Sequence, residues 1–386
     1  MESYKITDTM NNMGIRFKQM LSKLTLEQDK TIFIKYVAYF IVIIITIGLL
    51  LYTFNKMKLN SANCSKISNI YTSFPKLSSI NFNDNAYSYN LRDYYVKTAY
   101  NCCCSGQFKN DYVNECALKM CIAQGARVLD FEIYSVNDEP VIATSSIDNY
   151  HVKETYNSVK FADAINIIRN YAFSGGSCPN PNDPLILHFR INSNNEKIYK
   201  KMADIIFSNL ESRILDKIYS YEYHGHNLGA VPLKEFQGKV IISVDRANPL
   251  FTSTPLDEYV NIASNSVFLR ASRYYDVKYT PDIQELINYN KKNMTLSMPD
   301  LSAYDTNVSA ALNFKYGCQW VGMCFQNFDS NMEYYETYFN KVGHAFVLKP
   351  DNLRFVPVTI DAPTPQKPEY SFAKRTTSTD YYSFSI

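Results

Sequence analysis

Gly125-Ala-Arg-Val-Leu-Asp-Phe-Glu-Ile-Tyr134 alternates in a way that sorts its side chains onto two faces of a strand. Val128, Asp130 and Glu132 fall on one face, and Leu129, Phe131 and Ile133 on the other. Carboxylates two residues apart on a strand stand about 7 Å apart and aim the same way. Acids on a strand otherwise built for burial need a metal, a cation or a proton to offset their desolvation. What meets that need decides the chemistry of the whole chain.

Outward from this stretch, further strands are expected over 185–191, 240–244, 266–269, 320–325 and 345–348. Helical periodicity is read over 113–124, 161–173, 196–215 and 281–290. Strands alternating with amphipathic helices from residue 91 to 358 predict an α/β fold with a parallel sheet. That length suits a TIM-like (β/α)8 barrel. Residues 359–386 are rich in Pro, Ser, Thr and Tyr and read as a tail on the surface or without fixed structure.

Residues 36–54 form an uncharged apolar run flanked by Tyr36, Tyr39, Tyr52 and Phe54. At ~1.5 Å per residue it covers about 28 Å, enough to cross a bilayer core. Residues 1–35 then form a charged tail, with a helix expected over 12–24, and Asn- and Ser-rich residues 55–90 read as a tether. Lys5, Arg16, Lys18, Lys23, Lys30 and Lys35 precede the run, against Lys56, Lys58 and Lys66 after it. That excess predicts a single-pass protein with a cytoplasmic N-terminus and an extracytoplasmic barrel.

All nine cysteines follow the span, as an oxidising compartment would favour. Cys102-Cys103-Cys104 with Cys116 and Cys121 are candidates for bridges, although pairing is not readable from spacing and nine is odd. Asn63, Asn293 and Asn307 head glycosylation triplets. A zinc site is excluded by the lack of paired C-x2-C spacings. Charge is balanced, 39 Lys+Arg against 37 Asp+Glu, with no basic run interleaved with aromatics, so no nucleic-acid partner is expected.

The order of motifs resembles the phosphatidylinositol-specific phospholipase C family, in the X and Y halves of its catalytic barrel. Gly125–Glu132, Asp138-Glu-Pro-Val-Ile, Pro184-Leu-Ile-Leu and Leu233-Lys-Glu-Phe-Gln-Gly-Lys-Val-Ile-Ile carry the X-half likeness. Leu286-Ile-Asn-Tyr-Asn-Lys-Lys, Gly317-Cys-Gln-Trp-Val-Gly-Met-Cys-Phe-Gln and Gly343-His-Ala-Phe-Val-Leu-Lys-Pro carry the Y half. The resemblance implies phosphoric diester cleavage by two histidines, with calcium held by Asn, Glu, Asp and a later Glu.

Laid on this sequence, the family's histidine positions hold Tyr100 and Thr144. Its calcium positions hold Asn101, Asp130, Glu132 and Arg190, with the arginine in place of the fourth ligand. The phosphate-gripping lysines become Ser243 and Asp245, and the head-group arginine and tyrosine become Leu296 and Met298. The expectation is therefore a pseudoenzyme with a binding or structural role, Arg190 bridging Asp130 and Glu132, and no cofactor.

The rival expectation is a divergent phosphodiesterase acting on phosphoinositides or glycerophosphodiesters. It would use His188 with calcium held by Asn101, Asp130, Glu132 and Asp245. Tyr223-His-Gly-His226 imitates a family motif but lies too late in the chain, and reads as a surface-loop pair. The membrane, through residues 36–54, is the one partner expected; a protein or phospholipid partner stays unspecified. The anchor, the A/T-rich codon flavour of 32 tyrosines and the altered barrel are similar to membrane proteins of large DNA viruses or their protist hosts.

Overall fold

The computed structural model describes residues 27–73, 75–147, 151–357 and 370–385, with isolated positions 15, 16, 19, 363, 364 and 367. The helix expected over 12–24 falls mostly outside them. The first long element is α1, Glu27–Ile70, a continuous helix that contains the apolar run. It is long and apolar enough to cross a membrane.

The strands are β1 (Tyr94–Ala99), β2 (Val128–Val136), β3 (Glu139–Ile142), β4 (Val159–Lys160), β5 (Leu185–Ile191) and β6 (Val240–Asp245). They continue as β7 (Ile262–Ser264), β8 (Leu269–Arg273), β9 (Met294–Met298), β10 (Trp320–Met323) and β11 (Phe346–Leu348). Hydrogen bonding runs β7-β6-β5-β2-β1-β10-β9-β8, all parallel, so eight strands curl into a barrel left open only between β7 and β8. The principal helices are α2 (Glu115–Ala123), α3 (Phe161–Tyr171), α4 (Glu196–Leu210), α5 (Ile283–Lys292) and α6 (Ser330–Val342).

Strand alternation separates two cores. Leu129, Phe131, Ile133, Leu187 and Phe189 point outward against Ile165, Ile168, Ile198, Met202 and Ile206 of the helices. On α4 those buried residues recur at 198, 202 and 206, one face of a helix whose cap is Asn195, accepting from the Lys197 amide. Val96, Val128, Ile186, Ile241, Leu269, Leu296 and Trp320 point inward and fill the lumen. Each such side chain stabilises the fold by about 1.5–3 kcal/mol. Above this apolar floor, Asp130 pairs in register with His188, and Glu132 with Arg190.

Several expectations need correction. The strand expected over 266–269 is displaced: residues 265–268 form the turn between β7 and β8, with Asn265 left-handed at φ 56°, and Leu269 opens β8. Residues 55–70 are not a tether; they continue α1 and lie along the barrel. Asn63 donates to Asp111 at 2.8 Å, Ile67 is buried, and Cys64 is bonded to Cys116. By the chain-entropy view, closing that loop contributes about 4 kcal/mol.

Among the described residues this is the sole disulfide; Cys102, Cys103, Cys104 and Cys121 are free and buried. The members of the triplet split between layers, Cys104 in the lumen and Cys102 and Cys103 in the outer core with Cys121. The Asn63 and Asn307 triplets are also unsuited to glycosylation, since both side chains are buried and hydrogen-bonded. The tail keeps a small exposed hairpin, Thr376–Ser378 with Ser383–Ser385.

Candidate functional site

The C-terminal ends of β1, β2 and β5 place Asn101, Asp130, Glu132, His188 and Arg190 around one point at the barrel mouth. Two-residue spacing on β2 and β5 makes the carboxylates face the lumen together with the imidazole and the guanidinium. Asn101, just past β1, takes φ 47°, a conformation that asparagine tolerates and that turns the chain sharply over the site.

Arg190 fills the centre with four hydrogen bonds. Its Nε donates to Asp130 Oδ1 at 3.0 Å and Nη2 to Oδ2 at 2.8 Å, a two-point grip on one carboxylate. Nη1 donates to Glu132 Oε1 at 2.6 Å, and Nη2 also reaches Asn101 Oδ1 at 2.8 Å. Tyr100 roofs this group, its ring centroid 4.7 Å from the guanidinium carbon, a cation–π contact. Its hydroxyl accepts from Arg273 Nη1 at 3.1 Å. The Asp130 and Glu132 carboxylates are 0% and 1% exposed, so the ion group is sealed from bulk water.

His188 Nδ1 lies 2.7 Å from Asp130 Oδ1; a carboxylate only accepts, so this nitrogen carries a proton. Its Nε2 meets Ser264 Oγ at 2.8 Å. Both ring nitrogens are thus engaged inside the protein, and the side chain is fully buried.

Burial opposes charge on both acids, with different outcomes. For Asp130 desolvation is outweighed by the Arg190 charge and by donors from His188 and Arg190, so its carboxyl sits well below the usual range. For Glu132 desolvation wins over Arg190 and the Ser145 amide, helped by the nearby Asp130 charge, and the carboxyl is raised. Arg190 loses solvation too, yet Asp130, Tyr100 and Glu132 hold it firmly protonated.

The remaining expected positions stand apart from this ion group. Thr144 is buried and donates to the Phe108 carbonyl at 2.8 Å, while its neighbour Ser145 gives its amide to Glu132 at 3.0 Å. Ser243 faces the lumen opposite His188 in register, its hydroxyl without a partner among the described residues. Asp245 closes a turn, accepting from the Ala247 amide at 2.9 Å and Asn265 Nδ2 at 2.6 Å, rather than joining the acids. Leu296 and Met298 are buried among the apolar lumen residues.

His224 lies in the tight left-handed turn spanning Tyr221 to His224, and His226 follows it; both are exposed, at the surface as a loop pair. Sequence reading missed Ser264, Arg273 and the Ser145 amide. Their only sequence signal is position after a strand or within a short one.

The residues at the family's calcium positions do not fit calcium. A calcium ion takes six to eight oxygens, while here the oxygens of Asn101, Asp130 and Glu132 already accept from a fixed cation. A second positive charge in that space would be repelled rather than bound.

The sequence matches the family "Phosphatidylinositol-specific phospholipase C, X domain" over residues 87–246 and its Y domain over residues 259–352. The fold is similar to the crystal structure of S. officinalis PLC21, with TM-score 0.57 at 17% identity, covering 73% of this chain. L. pealei PLC21 gives TM-score 0.56 at 17% identity over 72% of this chain. The chain spans 39% of the length of each of these two proteins. A calcium-dependent phosphoinositol-specific phospholipase C from Pseudomonas sp. matches at TM-score 0.44 and 8% identity, covering 67% of this chain and 97% of its own. None of the curated proteins matches in sequence. With both barrel halves matched in order on an observed eight-stranded barrel, the chain belongs to the phosphatidylinositol-specific phospholipase C family.

Proposed function

We propose that this is a membrane-anchored member of the family that has exchanged turnover for a binding or structural role. The observation that carries the reading is Arg190, whose guanidinium lies between Asp130, Glu132 and Asn101 where the family resemblance places calcium. Arg190 is the cation in that space, and its donors are already given to Asp130, Glu132 and Asn101 rather than held open for a phosphate.

Tyr100 and Thr144 stand at the two histidine positions, and losing even one general acid or base costs roughly 10²–10⁴ in rate. The Tyr100 hydroxyl is a poor substitute. Burial raises its pKa, against the opposing pull of Arg190 and Arg273. Anchoring rests on residues 36–54, inside a helix long and apolar enough to cross a bilayer.

The chain Asp130–His188–Ser264 favours the rival reading of a rearranged phosphodiesterase, since an imidazole oriented by a carboxylate is a general-base arrangement. Its burial opposes it. A base must reach the proton it abstracts, and both nitrogens of His188 are already bound within the fold.

The test uses the full chain in lipid, supplied with phosphatidylinositol, its glycan-linked form and glycerophosphodiesters, with calcium or a chelator. No turnover above protein-free lipid is expected under either condition. Turnover abolished by His188→Ala would replace this reading with the rival one.

A further inference from the structure

We infer that the barrel matures in an oxidising lumen and carries one N-linked glycan there, on Asn293 at its base. The inference goes beyond the question of turnover. It rests on the topology expected from the charges flanking residues 36–54.

The Cys64–Cys116 bridge supports that side of the membrane independently of those charges. It lies just past the apolar run and joins α1 to the barrel. Bridges form and persist in oxidising compartments. The free cysteines among the described residues are all buried, which keeps their thiols from exchange in such a compartment. The secretory lumen is also where asparagine in Asn-x-Ser/Thr triplets receives an oligosaccharide carried on a lipid pyrophosphate.

The chain has three such triplets, and the fold separates them. Asn63 lies on the face of α1 turned to the barrel, its Nδ2 donating to Asp111 at 2.8 Å. Asn307 is buried, its Nδ2 donating to the Asn327 carbonyl at 2.7 Å and its Oδ1 accepting from the Cys324 amide at 2.6 Å. A sugar on either nitrogen would have to sit inside a close-packed interior. A chain modified at either position could not close into this fold.

Asn293 differs on each count. It follows α5 directly and opens into β9 with extended backbone, φ −129° and ψ −171°. The residue is partly exposed. Its Oδ1 accepts from Asn227 Nδ2 at 3.1 Å, and the same Asn227 amide holds the Lys292 carbonyl at 3.0 Å. The amide oxygen is thereby anchored, while Nδ2, the atom that glycosylation uses, has no hydrogen-bond partner among the described residues. Arg92, just before β1, donates to the Lys292 carbonyl at 2.9 Å, which places this corner at the entry end of the strands. A glycan there stands at the opposite end of the barrel from Asp130 and Arg190 and leaves their ion group untouched.

The third residue of the triplet sets the timing. Thr295 is fully buried and its hydroxyl donates to Asn290 Oδ1 at 2.6 Å. The triplet is closed to a transferase once β9 has joined the sheet, so transfer precedes closure of the barrel. In that step Nδ2 bonds to the anomeric carbon and loses a proton. The bond from that carbon to the pyrophosphate oxygen breaks, and the lipid pyrophosphate leaves.

The experiment expresses the full chain in eukaryotic cells and compares gel mobility before and after peptide N-glycosidase. Lys374→Asn serves as the control, because it completes a triplet with Arg375 and Thr376 in the exposed tail. Wild type is expected to lose the mass of one glycan on digestion, Asn293→Gln none, and Lys374→Asn that of two. A shift that persists in Asn293→Gln would overturn the assignment to Asn293. An unshifted wild type beside a shifted Lys374→Asn would overturn the glycan while the lumenal topology stands. No shift in either chain would overturn the topology and the inference with it.

Discussion

Strands β2, β5, β6 and β7 send Asp130, Glu132, His188, Arg190, Ser243 and Ser264 toward the lumen, whereas β8, β9 and β10 send Leu269, Leu296, Met298 and Trp320. Above an apolar floor shared by all the strands, the first half is polar and held by an internal ion group, while the second is held mainly by packing, with Arg273 of β8 reaching the Tyr100 hydroxyl. The first half spends its charges on one another, and β9 presents the hydrocarbon of Leu296 and Met298. The contrast teaches that a barrel can keep its shape while each half stabilises it by different physics.

Removing the central cation should have the largest effect on that contrast. Arg190→Met leaves two buried carboxylates facing each other and is expected to cost about 3–5 kcal/mol, read by melting of the detergent-solubilised chain. A loss under about 1 kcal/mol would mean that the ion group is not sealed. On the apolar side, Leu296→Ala should cost about 2–5 kcal/mol through the cavity it leaves. Unlike Arg190→Met, it should leave the acid sensitivity of melting unchanged.

His188→Ala comes next, at about 1–3 kcal/mol, because it strips Asp130 of a donor and leaves the Ser264 hydroxyl unpaired. Acid should give the smallest shift. Asp130 has a depressed carboxyl, so the stability it contributes is present above its unfolded pKa of about 3.9 and is lost as pH falls further. Glu132 is raised and acts in the opposite sense, its part growing as pH falls. Asp130→Asn should therefore flatten the acid limb of the melting curve. If wild type and Asp130→Asn fall in parallel, the ion group carries no such linkage.

Much of this was legible in the sequence, unevenly. The alternation of 128–134 placed both acids inside the barrel, and the strands over 185–191 and 240–244 stand within a residue of the structure. β1 hid behind Lys97, a residue that argues against a buried strand. Its ammonium is in fact buried on Glu336 at 2.7 Å, on the helix side of the sheet. α6 was missed because Ser330–Val342 carries its buried face on Met332, Tyr335, Glu336 and Phe339 among many polar residues. The helical strut over 55–70 depends on Cys116 and Asp111, far along the chain, so local composition pointed to a tether. The site shows the same split. Residues on long strands were found, while Ser264 lay on a three-residue strand whose bounds were misread.

Calcium binding measured by equilibrium dialysis on the full chain in detergent tests the exchange of metal for arginine most directly. Wild type should hold no calcium above a buffer blank at millimolar concentrations, and Arg190→Glu, which restores an acid at that position, should gain it. Stoichiometric binding by wild type, lost on Asp130→Asn, would contradict the account.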